Sequence, residues 1–496
     1  MTSATYNKGS RLSSLSSTGR EQGVVWLSLS IFLVLNCLTS PKYPLPWQDE
    51  NVFADIAVNF ATGRGFISSV CMCGEPSLHS FFSCNMPLFP FLLGGWVKLF
   101  GFSILAVRSF NYLLFSLAII VLWQTVRRLN LISSPQGRVL LVWLLMMGYG
   151  MGFIYRSARY DCLTLLLASL ILFATSMPSL PFRLGLVTVL GVFFPMAGLQ
   201  LVCYSVVMSA LALLLFRWRY LREIIALSLG IVVGGILILA LFSHYHVLQN
   251  FLIQLPMERQ KRFAHFSKEP SFILLLITCA ILVLRQIWKR VYRLRSASSL
   301  GVAFGLSIPL GMVILGKFPI YYSWMAYIPL AIATSAALND QKATLSRATR
   351  FVCALLIFFA CLFGAPIQLA SAIYYWHDRD TDSAAALIRQ NLSPNDWVYT
   401  DYSSYFAVRS VTPHVFMPYV IADKFKPAIN VLVVSPADFE SYAHSLMGGE
   451  WHDTGQSITP TRKAPFPHSA FAILLQRTID FHIYRRIDST TEHIGN

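Results

Sequence analysis

Long uninterrupted apolar runs govern what this sequence can fold into. Residues 104–123, 224–242 and 351–372 are among several runs of roughly 17 to 22 mostly apolar residues, enough for a helix to cross a hydrocarbon core of about 30 Å. Only 12% of the residues are charged and 55% are hydrophobic, whereas a soluble domain carries about 25% charge. The chain therefore reads as a mainly α, polytopic transmembrane helical bundle. Inside such spans periodicity separates little, because lipid-facing and buried helix faces are both apolar.

The formal charge of +16 would suit a nucleic-acid binder if the basic residues formed one surface. They stand instead in short blocks between apolar runs, at 127–128, 217–222, 285–295 and 342–350, as the positive-inside rule places them. Nucleic acid is excluded as a partner on that pattern, and membrane lipids are the expected surroundings.

Taken in order, residues 1–21 are rich in Ser and Thr and carry Lys8, Arg11 and Arg20, which reads as a disordered cytoplasmic N-terminus. The run 24–38 has no small-x-small cleavage site before its Pro-rich exit, so it reads as a retained first span. Residues 41–100 form a long extracytoplasmic first loop. Within it, Val52, Ile56 and Phe60 recur every fourth residue, predicting an amphipathic helix lying on the membrane surface and ended by Gly63-Arg64-Gly65. The segment 87–100 reads as interfacial or re-entrant.

Spans then alternate, and the run 184–216, too long for one crossing, is expected to break at Pro195-Met196-Ala197-Gly198. The total is about eleven spans, or thirteen if the segment after Pro87 is counted differently. Residues 22–375 then form a transmembrane domain of the cytoplasmic (inner) membrane, with the N-terminus inside. Residues 376–496 form an extracytoplasmic, soluble α/β domain. It has a helix at 383–390 and strands at 397–400, 429–434, 470–475 and 481–484. A lid, an acceptor-recognition module or a structural appendage would each suit it.

Of nine Cys, Cys37, Cys162, Cys203, Cys279, Cys353 and Cys361 lie in or beside apolar runs and read as small buried hydrophobes. Cys71, Cys73 and Cys84 share one polar loop. If that loop is extracytoplasmic, a disulfide to Cys84 is the expectation, with a metal site the weaker alternative.

Four places bring polar groups to the outer membrane edge. The adjacent carboxylates Asp49 and Glu50 are costly to desolvate there, although each would also suit a helix N-terminus. Arg156, Arg159 and Asp161 place basic residues outside, against the positive-inside trend. They would suit a lipid phosphate, or Arg159 and Asp161 would simply pair. The loop 243–270 carries Arg259 among other cations, and Lys317 and Tyr321 precede a late span, where they would bind a phosphate headgroup or anchor at the interface. A carboxylate to accept a hydroxyl proton, and cations to hold a phosphate leaving group, are what glycosyl transfer from a lipid-linked sugar phosphate requires. A lipid or glycan flippase is the competing class, but no internal repeat and few mid-span charges support it.

The run Trp47-Gln48-Asp49-Glu50-Asn51-Val52-Phe53-Ala54 resembles the Asp-Glu-x-x-Tyr-Ala first-loop signature of bacterial GT-C glycosyltransferases. That group includes the aminoarabinose transferase of lipid A and the protein O-mannosyltransferases. Pro87-Leu88-Phe89-Pro90, then Leu99-Phe100-Gly101-Phe102 and Arg108, resemble the family's next conserved run. Arg159-x-Asp161 resembles the Arg-x-Asp that opens its fourth span, and 317–329 its late Lys-x-x-x-Tyr and Pro segment. The resemblance spans residues 24–375. It implies a GT-C architecture and a polyprenyl-phosphate sugar donor. Asp49 would be the catalytic carboxylate and Asp161 would shape the site, the two holding a divalent metal ion if one is used. Glu50 would assist, Arg156, Arg159, Arg259, Lys317 and Tyr321 would face the donor phosphate, and the acceptor would be a lipid, glycan or protein. Phe53 stands where the family has Tyr, and Asn85-Met86-Pro87 where aminoarabinose transferases have Lys-Pro, which leaves the donor sugar open.

Overall fold

The computed structural model describes residues 8–68, 70, 81–257, 269–289, 296–315, 320–340, 345–417, 423–462 and 477–487. Its helices in the first three quarters of the chain are α1 (Lys8–Thr39), α2 (Gln48–Ala61), α3 (Leu88–Phe100), α4 (Ile104–Arg128), α5 (Pro135–Met147), α6 (Tyr149–Tyr155), α7 (Asp161–Thr175), α8 (Leu180–Ala197), α9 (Leu199–Phe216), α10 (Leu221–His244), α11 (Leu248–Met257), α12 (Pro270–Trp288), α13 (Ala297–Leu315), α14 (Trp324–Asp340), α15 (Arg347–Leu362) and α16 (Ala365–Tyr374).

Among the described residues, 6 continuous helical segments are long and apolar enough to cross a membrane, or 7 if α5 and α6, bent by 65° at Gly148, form one broken span. That is fewer than the eleven expected. The difference lies in short apolar helices such as α7 and α14, and in residues 199–244, counted once although their 46 residues hold both α9 and α10. The expected break in the 184–216 run is present. α8 stops at Ala197, Gly198 is extended, and α9 starts at Leu199. α1 starts earlier than its apolar run does. Helix extends back to Lys8, where disorder was expected, and Glu21 is drawn into the bundle by Arg138 (2.6 and 2.8 Å) and the Trp123 indole (2.7 Å).

Close packing of α8 on α10 depends on missing side chains. A Cβ at Gly230 would lie 2.2 Å from the Thr188 carbonyl oxygen, and one at Gly234 would lie 2.1 Å from that of Val192. Without a hydrophobic drive between helices in lipid, such small residues let backbones approach and dispersion act.

α2 departs from the expectation of a helix lying on the membrane surface. Residues 50–59 are all buried, polar ones included. The apolar stripe Val52, Ile56 and Phe60, of which only Phe60 is exposed, shares the helix with a polar stripe, Asn51, Asp55 and Asn59, that is covered. Its cover is the C-terminal α/β part.

That part contains α17 (Thr381–Asn391), β1 (Val398–Thr400), α18 (Tyr405–Arg409), β2 (Val415–Phe416), β3 (Val431–Val434), β4 (Trp451–Ile458) and β5 (Phe481–Arg486). The sheet order is β2-β1-β3-β5-β4, parallel between β1 and its two neighbours and antiparallel beyond β3. β1 and β3 are buried on both faces, as their near-continuous apolar runs require. Val398, Val431, Val433 and Ile483 share one apolar core with Ile388, Tyr405 and the helices of the bundle. Tyr399, Leu432, Val434 and Tyr484 form a separate core on the other face. The candidate strand at 470–475 lies outside the described residues.

The polar stripe of α2 docks on this part. Asp55 accepts from Tyr405 Oη (3.0 Å), Arg409 Nε (3.2 Å) and Ser68 Oγ (2.8 Å). Asn59 Oδ1 accepts from Arg409 Nη2 (2.7 Å), and Asn51 Nδ2 donates to the Tyr402 carbonyl (2.8 Å). Arg409→Lys keeps the charge but loses the planar fork that spans Asp55 and Asn59. It is expected to lower stability by about 1–2 kcal/mol, read as a lower melting temperature of the detergent-solubilised protein.

Candidate active site

α2 starts abruptly. Trp47 is extended (φ −140°, ψ 169°) and Gln48 is the first helical residue. Asp49 and Glu50 therefore occupy the first turn, where the helix dipole favours carboxylates. Neighbouring helical positions point about 100° apart, so the two acids part company.

Glu50 turns inward and is fully buried. Arg108 grips it from α4 with two bonds, Nε to Oε1 at 2.7 Å and Nη2 to Oε2 at 2.6 Å, and also donates to the Ser40 carbonyl. Glu50 Oε1 further accepts the backbone N–H of Ala158 at 3.0 Å. Glu50, expected to assist Asp49, is instead held in the interior. Both oxygens are committed to a buried ion pair that fastens α2 to α4 and to the turn after α6.

Asp49 faces another side of the helix and its side chain is 30% exposed. Arg159, on the turn between α6 and α7, reaches it with Nη1 at 2.9 Å from Oδ2. Arg159 Nε lies 3.1 Å from Asp161 Oδ2, and Asp161 Oδ1 accepts from the Trp324 indole N–H at 3.1 Å. Asp161 is fully buried and the Arg159 side chain is 2% exposed. The guanidinium lies 5.1 Å from the centre of the Trp47 ring and 5.6 Å from that of Tyr160, within cation–π range. One cation is thus braced from behind by a buried carboxylate and meets a second carboxylate on its open side.

The turn carrying Arg159 is held from several directions. The Asn111 amide of α4 donates to the carbonyls of Ile154 (3.1 Å), Ser157 and Arg159 (2.9 Å). The N-terminus of α6 is satisfied from another span, Gly150 N–H by Glu269 Oε1 (2.8 Å) and Tyr149 N–H by Ser271 Oγ (2.9 Å). Free N–H groups at a buried helix start would be costly, so these two side chains fix where α6 starts, and with it the position of the short helix that leads to Arg159.

Aromatic residues complete the wall. The Tyr160 and Tyr322 hydroxyls are 2.7 Å apart, and the Phe53 ring meets Tyr160 and Phe89 edge-on at 5.3 and 5.6 Å. Tyr322 and Trp324 belong to the marked segment 317–329, and the cluster of aromatic residues at the mouth of that span was the available signal.

The structure brings Asp49, Arg159 and Asp161 together and leaves others apart. Arg156, expected at the donor phosphate, is buried against the end of α1. Its Nη1 donates to Thr39 Oγ1 at 3.1 Å and its guanidinium lies 5.7 Å from the Tyr43 ring centre. Three residues along from Arg156 on a tight turn, the chain has changed direction, and it is Arg159 that meets Asp49. Tyr321 lies in the turn Ile320–Ser323. Lys317, Arg259, Cys71 and Cys73 lie outside the described residues, and Cys84 is half-buried.

A divalent metal ion does not fit between Asp49 and Asp161. The Arg159 guanidinium already bridges these two carboxylates, and no group of three or more His, Cys, Asp or Glu side chains among the described residues could hold a metal ion. A hard cation needs several oxygen ligands and would be repelled by the guanidinium.

No protein-family model matches the chain, and no curated protein matches it. Solved structures do. The crystal structure of ArnT from Cupriavidus metallidurans bound to undecaprenyl phosphate aligns over 94% of this chain and 98% of that one, with a TM-score of 0.64 at 16% identity. The same protein in the apo state aligns over 93% and 98%, with a TM-score of 0.63 at 14% identity. At such identity a shared architecture is what the likeness establishes, and the chain has the ArnT-like GT-C fold.

Proposed function

We propose that the chain is a membrane glycosyltransferase. It would move a sugar from a polyprenyl-phosphate donor to a hydroxyl, or phosphate, of a lipid, glycan or protein acceptor, on the outer face of the cytoplasmic membrane. The observation that carries this reading is the Asp49–Arg159–Asp161 cluster, set in a fold whose relative ArnT is crystallised with undecaprenyl phosphate.

Asp49 takes the proton of the acceptor hydroxyl as its oxygen attacks the anomeric carbon. The bond from that carbon to the phosphate oxygen breaks, and the lipid phosphate leaves with the electron pair. Attack from the side opposite the leaving group inverts the anomeric centre. Arg159 stabilises the growing phosphate charge with its planar donors, and Asp161 with Trp324 keeps the guanidinium in place. Lys317, Arg259 and Tyr321 would add contacts to the phosphate.

The test compares cell-envelope lipids and glycans by mass spectrometry with and without the protein. A product mass increased by one sugar residue, present only with the protein and formed again by the purified protein from a polyprenyl-phosphate sugar, is the expected result. Identical envelopes, together with no turnover by the purified protein, would sink the reading.

A further inference from the structure

Arg159 has two anions to serve on one side, Asp49 and the incoming phosphate, and they compete for it. Its Nη1 points to the open side of the cluster and is taken by Asp49, while its Nε is held by Asp161. Asp49 is the partner that is accessible, 30% exposed against a fully buried Asp161. A phosphate entering from the open side competes with Asp49 for Nη1, and the Asp49 oxygen held there, Oδ2, is a weaker base while the pair lasts. Both conflicts are resolved by one exchange.

We infer that Arg159 is an exchange point whose outer edge pairs with Asp49 in the empty protein and with the lipid phosphate in the loaded one, so that donor binding releases the base. The inference rests on the proposed glycosyl transfer and deepens it. Asp161 stays bound throughout as the pivot, fixed by the Trp324 indole. The acceptor is then activated only after the donor is seated, and binding is ordered, donor first. Asp49 competes with the ligand, so the fraction of protein with Arg159 available sets the apparent affinity.

The experiment measures equilibrium binding of radiolabelled undecaprenyl phosphate to the full-length, detergent-solubilised protein. Asp49→Asn, which removes the competitor, should bind about fivefold tighter than the unaltered protein, the factor appropriate to a partly exposed ion pair. Asp161→Asn, which removes the pivot, should bind more weakly. Unchanged or weaker binding by Asp49→Asn, beside normal binding by the unaltered protein, overturns the exchange and leaves the transferase reading standing. Tightening by both variants also overturns it, because loss of negative charge alone would then account for the gain. No binding by any of the three overturns both readings. Undecaprenol, which lacks the phosphate, should not distinguish Asp49→Asn from the unaltered protein, and an equal preference would overturn the exchange. Inorganic phosphate should compete only weakly, and displacement as effective as that by the lipid phosphate would overturn the assignment to a lipid.

Discussion

Asp49→Asn should lower turnover of a polyprenyl-phosphate sugar by about 10² to 10⁴-fold, the range supplied by a positioned general base. Asn keeps the shape of the side chain but cannot take a proton. The melting temperature should hardly move, because the Asp49 side chain is 30% exposed and its pair with Arg159 reaches solvent. Such partly exposed pairs contribute about 0–1 kcal/mol. The loss should fall on kcat, with donor binding tightened and not weakened. Turnover equal to that of the unaltered protein in a normally folded Asp49→Asn would remove Asp49 from the chemistry. Arg159→Lys gives an independent check. A lysine keeps one positive charge but cannot reach Asp49 and Asp161 with separate planar donors, so it too should lower turnover.

Much of this site could be read before any coordinates, for a physical reason. Two acids at a membrane edge, and an Arg-x-Asp at the start of a later span, are expensive placements that stand out against apolar surroundings. The break at Pro195 to Gly198 and strands β1, β3 and β5 were legible for similar reasons, since turn residues and short β-branched runs are local signals. The exposure of α2 was misread because hydropathy reports apolar area and not what covers it. The polar stripe Asn51, Asp55 and Asn59, at every fourth position, was the available sign that protein and not lipid lies on that face. Pairings such as Asp55 with Arg409 or Tyr160 with Tyr322 join residues more than 150 positions apart, and no local pattern contains them. The opposite fates of Asp49 and Glu50 likewise depend on where α4 sits, which the turn of α2 alone does not reveal.

The Glu50–Arg108 pair carries the other large effect. Both side chains are fully buried, and Glu50→Gln would leave the Arg108 guanidinium without its anion in a dry interior. Breaking a buried pair on one side costs about 3–5 kcal/mol, so Glu50→Gln should strongly lower the melting temperature and the yield of folded protein. Arg108→Met should do the same from the other side. Replacing both residues together, with Glu50→Leu and Arg108→Met, removes the stranded charge, and such double replacements are often neutral or stabilising. The double variant should therefore recover most of the lost stability. It should not recover turnover, because Glu50 also accepts the Ala158 N–H, one residue before Arg159, and no leucine can replace that bond. Recovered stability with low kcat would separate the two duties of Glu50, fastening the bundle and setting the turn that presents Arg159 to Asp49. A single Glu50→Gln as stable as the unaltered protein would refute the first duty, and full activity in the stable double variant would refute the second.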